Sequence, residues 1–519
     1  MVKKISHEQS RRNLARRRRK VQARHGLAGH WGVRSEPMLT TGKINYEIGG
    51  NVEATSFGGL FAMHRLLTRL GLVQAIDDDL ELLAVHRPYS ESDHVLNLAY
   101  NVLTGGTRLE DIDRHRNDVP LMDGLGTKLL PDPTTAGDFL RRFDADDVVT
   151  LMDTINSVRP GLWRSRCRDL FGEVVYLDVD GTIVPTTGER KAGMGISYKG
   201  IWGYHPLVIT LANTREVLYL VNRSGNAPSH ADAAIWINKA IDLVVPHAPR
   251  VCLRGDTDFS LTAHLDSWAE SVDFVLGMDC NAALRGRAEA LPESAWQRLE
   301  RAPKYVTKTG ATRARRDNVK EQIVIDNEYL NLKLNYEDVA EFDYRPKKCR
   351  KTYRVVALRK NISRSKGENV LIDEIRYFFY ITTYTGETHT PTQIVELAND
   401  RCDQENIHGQ LKSGLNALHA PVGDLDSNWA YMVIAALAWN IKSWYAMMMH
   451  RVEDRTAYIR MEFKRFLDTI IRIPAMVLTR ARSIVIRLVA YTKGLDRLFS
   501  TWTTIERARF AANAGSRYG

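Results

Sequence analysis

The chain has 519 residues, which is too long for one ordinary hydrophobic core, so roughly two to four domains are expected. Its 44% hydrophobic and 26% charged residues are typical of globular proteins and exclude a largely disordered chain. The net charge is +10, but residues 1–30 hold ten Lys or Arg against a single acid, Glu8. The excess positive charge is therefore concentrated at the N-terminus.

This concentration predicts a basic flexible arm over residues 1–35 that binds nucleic acid phosphates. The residues expected to make these contacts form an uninterrupted basic run: Arg16, Arg17, Arg18, Arg19 and Lys20. Contacts of this kind bind DNA mainly through its backbone.

Five cysteines are scattered without a CxxC pair, which argues against a thiolate zinc site and a disulfide framework. The most apolar run, Trp429 to Trp439, has eleven residues, which is too short to span a bilayer and predicts a buried helix. The N-terminus lacks the apolar stretch of a secretory signal. We therefore expect a cytoplasmic protein without membrane contact, associated with the nucleoid when it binds DNA.

Residues 43–150 show a helical pattern of apolar residues. One predicted helix places five side chains on one face and ends before Gly71: Leu60, Met63, Leu66, Leu67 and Leu70. Ser92 can cap a second helix that stops at Gly105, and Pro133 opens a short third one. Small helices of this kind suit a helical DNA-binding domain, and a plain helical bundle without a ligand is the alternative.

Residues 172–280 alternate between short apolar runs and helical segments. Five strands are predicted: Val174–Asp178, Leu207–Ala212, Val217–Val221, Val251–Leu253 and Phe274–Gly277. A helix capped at Ser229 or His230 should precede the fourth strand, and a helix over Leu261–Glu270 should follow it. This order favours an α/β fold with an RNase H-like mixed sheet. Helices are predicted again over residues 391–445.

The segment Lys191–Tyr204 is rich in Gly and Tyr and carries Lys191 and Lys199. We expect a flexible surface loop here. A grip on a nucleic acid backbone is the alternative.

Residues 281–390 are predicted to be rich in β-strands. Its strand-like segments are Gln322–Ile325, Tyr329–Leu334, Tyr353–Leu358 and Tyr377–Thr383. A basic run between them, next to Tyr344 and Tyr353, carries five candidate DNA-binding residues: Arg345, Lys347, Lys348, Arg350 and Lys351. Basic residues interleaved with aromatic ones can bind phosphates and stack on bases, whereas a solvated hairpin tip is the alternative. Residues 446–519 are expected to form a mostly helical C-terminal region.

The stretch Val174–Pro185, VVYLDVDGTIVP, begins as an apolar strand and then carries two carboxylates. Asp178 and Asp180 are two residues apart, so on a strand their side chains point to the same face. Two neighbouring negative charges on one face raise the free energy of the folded state unless a cation lies between them. A divalent metal is the usual cation, because hard cations prefer carboxylate oxygens. An Asp-Gly turn that only closes the strand is the alternative.

Two further motifs supply acids from other elements. In VCLRGDTDF, Asp256 follows a short apolar strand, with Arg254 and Asp258 beside it. In LANDRCDQENIHGQLK, four residues at offsets of 0, 4, 7 and 11 share one helical face: Arg401, Glu405, His408 and Lys412. A solvated ion-pair stripe has the same spacing. Two Asp and one Glu from separate elements can, however, hold two Mg²⁺ ions for in-line phosphoryl transfer.

The motif order resembles that of bacterial insertion-sequence DDE transposases, in particular the family described as transposase DDE domain group 1. The order is DGT, then RGD before a small residue and Phe, then RxxxE followed by Lys412. Further shared pieces are GYHP at 203–206, RSGN at 223–226, ENI at 405–407 and LAWN at 437–440. The resemblance runs from Ser56 to the C-terminus, and it implies that residues 281–390 are inserted between the second Asp and the Glu.

The resemblance implies roles for individual residues. The catalytic triad and metal ligands would be Asp180, Asp256 and Glu405. The supporting residues would be Asp178, Arg401, Lys412 and His408. Two positions depart from the family pattern, since Ala398 stands where a signature Tyr is expected and Asp258 stands where glycine is more usual.

The activity implied by the resemblance is hydrolysis of DNA to free a 3′ end, followed by attack of that hydroxyl on target DNA. The implied cofactor is Mg²⁺, with Mn²⁺ as a substitute. The implied partners are double-stranded DNA, both the terminal inverted repeats of the element and the target, and a second copy of the chain in a homodimer.

Two other functions compete with this interpretation. The DVDGT motif also fits haloacid-dehalogenase-like phosphohydrolases, with Asp178 as nucleophile and Asp180 as general acid/base. That class leaves the basic N-terminus and the Arg/Glu/Lys helix unexplained. A nucleic-acid-binding protein without catalysis would need a lost carboxylate, and all three are present.

Overall fold

The computed structural model of the protein describes residues 7–27, 53–86, 88–186, 188, 191–300, 319–325, 328–366, 369–480, 483–489 and 494–510. Helices dominate both ends of the described chain, and a large mixed sheet lies in its middle. The predicted mixed α/β character is therefore confirmed. Within the described ranges, no helix combines the length and apolar character needed to cross a membrane.

The N-terminal part of the chain is helical, as its apolar periodicity predicts. Its helices are α1 (His7–Leu27), α2 (Leu60–Leu70), α3 (Leu72–Asp79), α4 (Glu91–Thr104), α5 (Asp113–Arg116), α6 (Val119–Leu125), α7 (Pro133–Leu140), α8 (Ala145–Ser157), α9 (Arg159–Arg166) and α10 (Arg168–Phe171). Gly71 ends α2 at a φ of 79°, in the left-handed region that glycine adopts without strain. Helix α4 is capped by Ser90 rather than Ser92, because Ser90 and Asp93 form a reciprocal capping box.

Residues 7–27 form a helix where a flexible arm was predicted. No Pro, and no Gly before Gly26, interrupts this segment, and Arg, Lys, Gln and Ala are strong helix formers. Leu14 is buried, and Arg17 Nη1 donates a hydrogen bond to the Leu488 carbonyl oxygen at 2.9 Å. The helix therefore contacts the C-terminal region. The remainder of the predicted arm, residues 1–6 and 28–35, lies outside the described residues.

The five predicted central strands are confirmed. The strands are β1 (Ala54–Thr55), β2 (Val175–Gly181), β3 (Val184–Pro185), β4 (Gly195–Ile196), β5 (Trp202–Tyr204), β6 (Leu207–Leu211), β7 (Glu216–Val221), β8 (Val251–Gly255), β9 (Asp273–Met278), β10 (Gln297–Arg298), β11 (Val319–Ile325), β12 (Glu328–Tyr344), β13 (Tyr353–Lys366), β14 (Asn369–Thr382), β15 (Ala475–Arg480) and β16 (Ser483–Leu488). Strands β7, β6 and β2 are antiparallel neighbours, and β2, β8 and β9 are parallel neighbours.

The predicted β-rich insertion continues this same sheet. Strand β14 pairs antiparallel with β9, and β13 and β12 follow it, with β10 and β11 both pairing with β12. The strands are longer than predicted, because charged residues such as Glu337, Asp338, Arg359 and Lys360 interrupt the apolar pattern without ending the backbone pairing. The basic run occupies the turn between β12 and β13.

The remaining helices surround the sheet. They are α11 (Ala233–Val244), α12 (Leu265–Trp268), α13 (Ala282–Glu289), α14 (Pro391–Asn399), α15 (Cys402–Gly409), α16 (Leu425–Met447), α17 (Val452–Ile459), α18 (Phe463–Phe466) and α19 (Leu495–Arg507). Short 3₁₀ turns cover Leu109–Ile112, Val245–His247, Thr257–Phe259 and Glu293–Ala295, and π-turns cover Gln410–Gly414 and Leu467–Ile471. The apolar run Trp429–Trp439 lies inside α16 and is buried, as predicted.

Two central helices differ from their predictions. Helix α11 begins only after Asp232, not at Ser229 or His230. The helix predicted over Leu261–Glu270 is reduced to the single turn α12, whose Asp266 accepts a hydrogen bond from the Arg350 N–H of the β12–β13 turn at 2.6 Å.

The C-terminal region contains strands as well as the predicted helices. Strands β15 and β16 form an antiparallel hairpin, and β15 also pairs with β1. The three consecutive β-branched residues Ile484, Val485 and Ile486 favour this extended conformation. The two ends of the described chain are thereby joined in one small sheet.

The edge strand β7 is covered by helices rather than by another strand. Asn440 on α16 bonds Val217 twice, since its Oδ1 accepts from the Val217 N–H at 2.8 Å and its Nδ2 donates to the Val217 oxygen at 2.9 Å. Trp429 Nε1 donates to the Leu220 oxygen at 2.5 Å. Side chains thus supply the partners that an added strand would otherwise provide, which closes this edge.

Glu216, the first residue of β7, is fully buried. Its carboxylate accepts hydrogen bonds from Arg159 Nη1 (2.5 Å), Trp163 Nε1 (2.9 Å), Thr214 Oγ1 (2.6 Å) and Trp444 Nε1 (2.6 Å). One buried charge therefore connects α9, α16 and the β6–β7 turn. Because Arg159 is equally buried, each of the two ions depends on the other for neutralisation.

We predict that Glu216→Gln lowers the free energy of unfolding by about 3–5 kcal/mol, because it leaves the Arg159 charge buried and turns an amide NH₂ toward N–H donors. Urea unfolding followed by circular dichroism measures the change. Glu293→Gln is the matched control, since Glu293 is 80% exposed in its ion pair with Arg359, and it should unfold close to the wild-type midpoint. Equal stability of Glu216→Gln and wild type would contradict this role.

Candidate active site

The candidate carboxylates lie where parallel strands end. In the pairing of β2 with β8, Val179 is opposite Gly255, so Asp180 and Asp256 follow at the same edge of the sheet. Helix α15 brings Glu405 to this edge, since Gln404 Nε2 donates to the backbone oxygens of Asp178 and Val208, both at 3.1 Å. Two strands and one helix thus each bring one carboxylate of the predicted triad to this edge.

Negative charge is crowded around Asp180. The pKa of this carboxyl is raised to about 7, chiefly by burial; Arg401 lowers it, and the charges of Asp256 and Glu405 raise it. The Gly181 N–H donates to Asp180 Oδ1 at 2.9 Å. Asp180 is consequently a carboxyl that holds its proton near neutral pH until a cation compensates its charge.

Asp256 has a similar environment. Burial raises its pKa, Arg401 lowers it, and the charges of Asp258 and Asp279 raise it again. Its Oδ1 accepts a hydrogen bond from the Asp258 N–H at 3.0 Å. The acid found at position 258 therefore adds negative charge beside the triad.

The predicted basic and supporting residues of α15 and the following turn lie against these acids. Arg401 Nη1 lies 3.5 Å from the Val179 oxygen, and the Asp180 charge acts against the lowering of the Lys412 pKa by burial. His408 Nδ1 lies 3.7 Å from Asp180 Oδ2. Burial, together with Lys412 and Arg401, lowers the pKa of His408 to about 4, so this ring is neutral at pH 7.

Asp178 faces the same helices but has a different partner. It is 1% exposed, and both of its oxygens accept from Arg254, with Nε–Oδ1 at 2.6 Å and Nη2–Oδ2 at 2.8 Å. Arg254 also lies over the Tyr176 ring at 4.4 Å and donates to the Leu397 oxygen at 3.2 Å. The cation that compensates Asp178 is thus an arginine.

This pairing also bears on the phosphohydrolase alternative. A nucleophile needs a free oxygen facing the substrate, but both oxygens of Asp178 are engaged and the side chain is buried. Nothing else in the described chain supports that alternative.

The donor set can be tested for its fit to a divalent metal. Among the described residues, no three His, Cys, Asp or Glu side chains converge into a group that could hold one. The chemistry of the donors nevertheless fits a hard cation, because Asp180, Asp256 and Glu405 supply carboxylate oxygens and their charges are incompletely neutralised. The ligands are of the right type, at the end of two parallel strands, without being drawn together.

Two residues at this edge were missed by the sequence analysis. Gln404 anchors α15 to the sheet, and its only signal is its position between Arg401 and His408 on the same helical face. His205 belongs to the GYHP piece, and its Nδ1 lies 2.9 Å from the Ala227 oxygen. A Cβ at Gly181 would lie 2.8 Å from His205 Nε2, so this close approach requires glycine after Asp180.

The candidate DNA-binding residues lie on two exposed basic surfaces. Arg345, Lys347, Lys348, Arg350 and Lys351 are exposed on the β12–β13 turn. Asp266 holds this turn through the Arg350 N–H and the Tyr353 hydroxyl, each at 2.6 Å. On α1, Arg16, Arg18, Arg19 and Lys20 are exposed, whereas Arg17 is partly buried against β16.

The two aspartates of β2 should respond oppositely to substitution by Asn in metal-free buffer. Asp178→Asn should cost about 3–5 kcal/mol of stability, because Arg254 loses its buried counter-charge. Asp180 has a folded-state pKa above its ordinary value of 3.8, so its contribution is present below pH 4 and is lost as the pH rises through 7. Asp180→Asn avoids that loss and should gain stability relative to wild type between pH 4 and 7.

Urea unfolding of both variants and wild type at several pH values, with EDTA present, measures this contrast. Each variant is the control for the other, since both make the same chemical change two residues apart on one strand. A loss in Asp180→Asn as large as that in Asp178→Asn would contradict the assignment.

The family described as transposase DDE domain group 1 matches residues 37–510 of the chain. The search of curated proteins found no match to this chain. Among solved structures, the chain is similar to the cryo-EM structure of a piggyBac transposase synaptic complex with hairpin DNA, with 10% sequence identity and a TM-score of 0.35, covering 90% of this chain and 86% of that one. The family match spans nearly the whole chain and includes all three carboxylates. The chain therefore belongs to the transposase family with a DDE domain of group 1.

Proposed function

We propose that this transposase cuts DNA at the ends of its own insertion sequence and joins them to target DNA, with Asp180, Asp256 and Glu405 as ligands of catalytic divalent metal ions. The observation that carries this proposal is the charge crowding at one sheet edge, where burial and the charges of Asp256 and Glu405 raise the pKa of Asp180 to about 7. Acids that only stabilise a fold are paired with cations, as Asp178 is. A cluster with surplus negative charge is instead suited to bind a cation.

Mg²⁺ is the proposed cofactor, with Mn²⁺ as a substitute. When bound, two such ions activate a nucleophile and stabilise the leaving oxygen of an in-line phosphoryl transfer. The three carboxylates would hold them, and Arg254 keeps Asp178 out of this set.

Positively charged side chains of the protein would bind the DNA backbone. Arg401 and Lys412 carry positive charge beside Asp180, where a phosphate would arrive. His408 is neutral at pH 7, and its buried Nε2 has no hydrogen-bond partner among the described residues. It can therefore bond a substrate oxygen or water without adding charge.

The proposed chemistry has two balanced steps. A water oxygen attacks the phosphorus at an element end, and the P–O bond to the 3′ oxygen breaks; the water loses a proton and the leaving 3′ oxygen gains one, which gives a 5′ phosphate and a free 3′ hydroxyl. That hydroxyl oxygen then attacks a phosphorus of the target strand and loses its proton to solvent, while the P–O bond to the target 3′ oxygen breaks and that oxygen takes up a proton from solvent.

We further propose an RNase H-like catalytic domain over residues 172–280 and 391–445. The order β7-β6-β2-β8-β9, antiparallel and then parallel, supports this assignment. Residues 281–390 would be its β-rich insertion, residues 43–150 a helical DNA-binding domain and residues 446–519 the C-terminal region.

The proposed partners are the terminal inverted repeats, target DNA and a second copy of the chain, and the place of action is the nucleoid.

We predict that Asp256→Ala and Glu405→Ala each reduce cleavage of DNA carrying the element ends at least about a thousandfold, because each removes a metal ligand that stabilises the transition state. Binding to the same DNA should stay near wild type. Cleavage on denaturing gels and binding by fluorescence anisotropy measure the two effects.

Asp279→Ala is the matched control, because Asp279 is an exposed acid close enough to affect Asp256 but is not in the proposed triad. It should cleave at close to the wild-type rate. Near-wild-type cleavage by either triad variant would place the metal site elsewhere.

We predict that replacing Lys347, Lys348 and Lys351 together by Gln flattens the dependence of DNA affinity on salt, lowering the slope by about 2 to 3, because fewer counterions are released. The control replaces Lys239, Arg250 and Arg285 by Gln. These three cations are also on the surface, but each is paired with an acid. An unchanged slope in the first variant would refute the role of the β12–β13 turn.

A further inference from the structure

The segment between β4 and β5 exposes an unusual group of apolar side chains. Tyr198 is 81% exposed, Ile196 58%, Trp202 45% and Ile201 37%. Single exposed apolar residues are common, but four within seven residues form a patch that water does not favour. The patch lies at one end of a hairpin, Gly195–Tyr204, where a flexible loop was expected.

The base of this hairpin is fixed to the protein. Tyr204 is fully buried, pairs with Val184 on β3, and donates its hydroxyl to the Ala192 oxygen at 2.9 Å. A Cβ at Gly203 would lie 2.0 Å from the Val184 oxygen, so only glycine permits this close pairing.

The tip is also closed by its own hydrogen bonds. The Ser197 N–H donates to the Ile201 oxygen at 2.9 Å, and the Ile201 N–H donates to Ser197 Oγ at 3.1 Å. The exposed rings are therefore carried on a pre-organised turn. A fixed support lowers the entropy that a ligand must offset when it contacts these rings.

The hairpin lies next to the carboxylate edge. It leads directly into His205, whose Nε2 faces Gly181, and the Thr182 N–H donates to the Pro206 oxygen at 2.9 Å. At the tip, Lys199 is close enough to Lys412 for its charge to lower the pKa of that ammonium. The apolar patch and the acids thus share one side of the protein.

The composition of the tip indicates its ligand. Lys199 Nζ lies 5.4 Å from the centre of the Tyr198 ring, so ring faces and a positive charge are presented together. Nucleic acid bases stack on such rings, and flanking phosphates bind the charge. In a paired duplex the base faces are covered by their neighbours, so the rings can accept only a base that has left the stack.

We propose that the hairpin Gly195–Tyr204 is a stacking platform for an unpaired base of the DNA strand next to the cleaved phosphate. Tyr198 and Trp202 would supply the ring faces, and Lys199 would bind an adjacent phosphate. This inference rests on the proposed function, because the strand concerned is the one cut at the carboxylate edge. It adds a binding site for a base to a centre otherwise made of charged groups.

The test compares two labelled DNA probes, a blunt duplex and the same duplex with a short unpaired 3′ tail, binding to the full-length protein in EDTA. Wild type should bind the tailed probe more tightly. Tyr198→Ala combined with Trp202→Ala should weaken tailed-probe binding on the order of tenfold and leave blunt-duplex binding unchanged. Tyr198→Phe should retain the preference, because stacking needs the ring and not the hydroxyl.

Trp502→Ala is the matched control, since Trp502 on α19 is 39% exposed and lies outside the hairpin. Circular dichroism verifies that the double variant folds. Equal preference for the tail in the double variant and wild type would overturn the inference, as would an equal loss for both probes. A changed sedimentation coefficient with an unchanged tail preference would also overturn it, because the hairpin would then contact a second copy of the chain. Binding is measured without metal, so failure of the proposed function would show separately, as absence of DNA cleavage by wild type in Mg²⁺.

Discussion

The burial of Glu216 constrains the packing of helices on the central sheet. A carboxylate without solvent must be surrounded by donors, and here they come from α9, α16 and the β6–β7 turn at distances between 2.5 and 2.9 Å. These bonds hold two helices on β7, and β7 determines the position of β6 and then of β2. The position of the sheet edge that carries Asp180 therefore depends on the hydrogen bonds of the buried Glu216 carboxylate.

The protein treats its buried acids in two different ways. Glu216 and Asp178 are each paired with a buried arginine, and both pairs join separate elements. Asp180 and Asp256 are also largely buried, but burial and neighbouring acids raise the pKa of both carboxyls instead. The Asp178–Arg254 pair connects β2 to β8, and its two members precede Asp180 and Asp256 by two residues each. This contrast between neutralised and incompletely neutralised acids supports the proposed cation-binding site.

The sequence predicted those features that depend on local patterns. Short apolar runs predicted the strands of the central sheet, and Asp180 and Asp256 were predicted close to the ends of two of them. Features that depend on distant partners were missed. Nothing near Asp178 shows that Arg254 lies opposite it, and the strands of the hairpin β15–β16 gain their stability partly from β1, more than 400 positions away. A flexible arm was predicted where helix α1 lies, because that prediction rested on the charge of the segment and not on the helix propensity of its residues.

The central claim is that Asp180, Asp256 and Glu405 bind a divalent cation together. Binding of Mn²⁺ to the full-length protein, followed by electron paramagnetic resonance, tests it without requiring knowledge of the element ends. Wild type should show saturable binding that is lost in Asp256→Ala and Glu405→Ala and is retained in Asp279→Ala. Mn²⁺ binding that is the same in all four proteins would contradict the account.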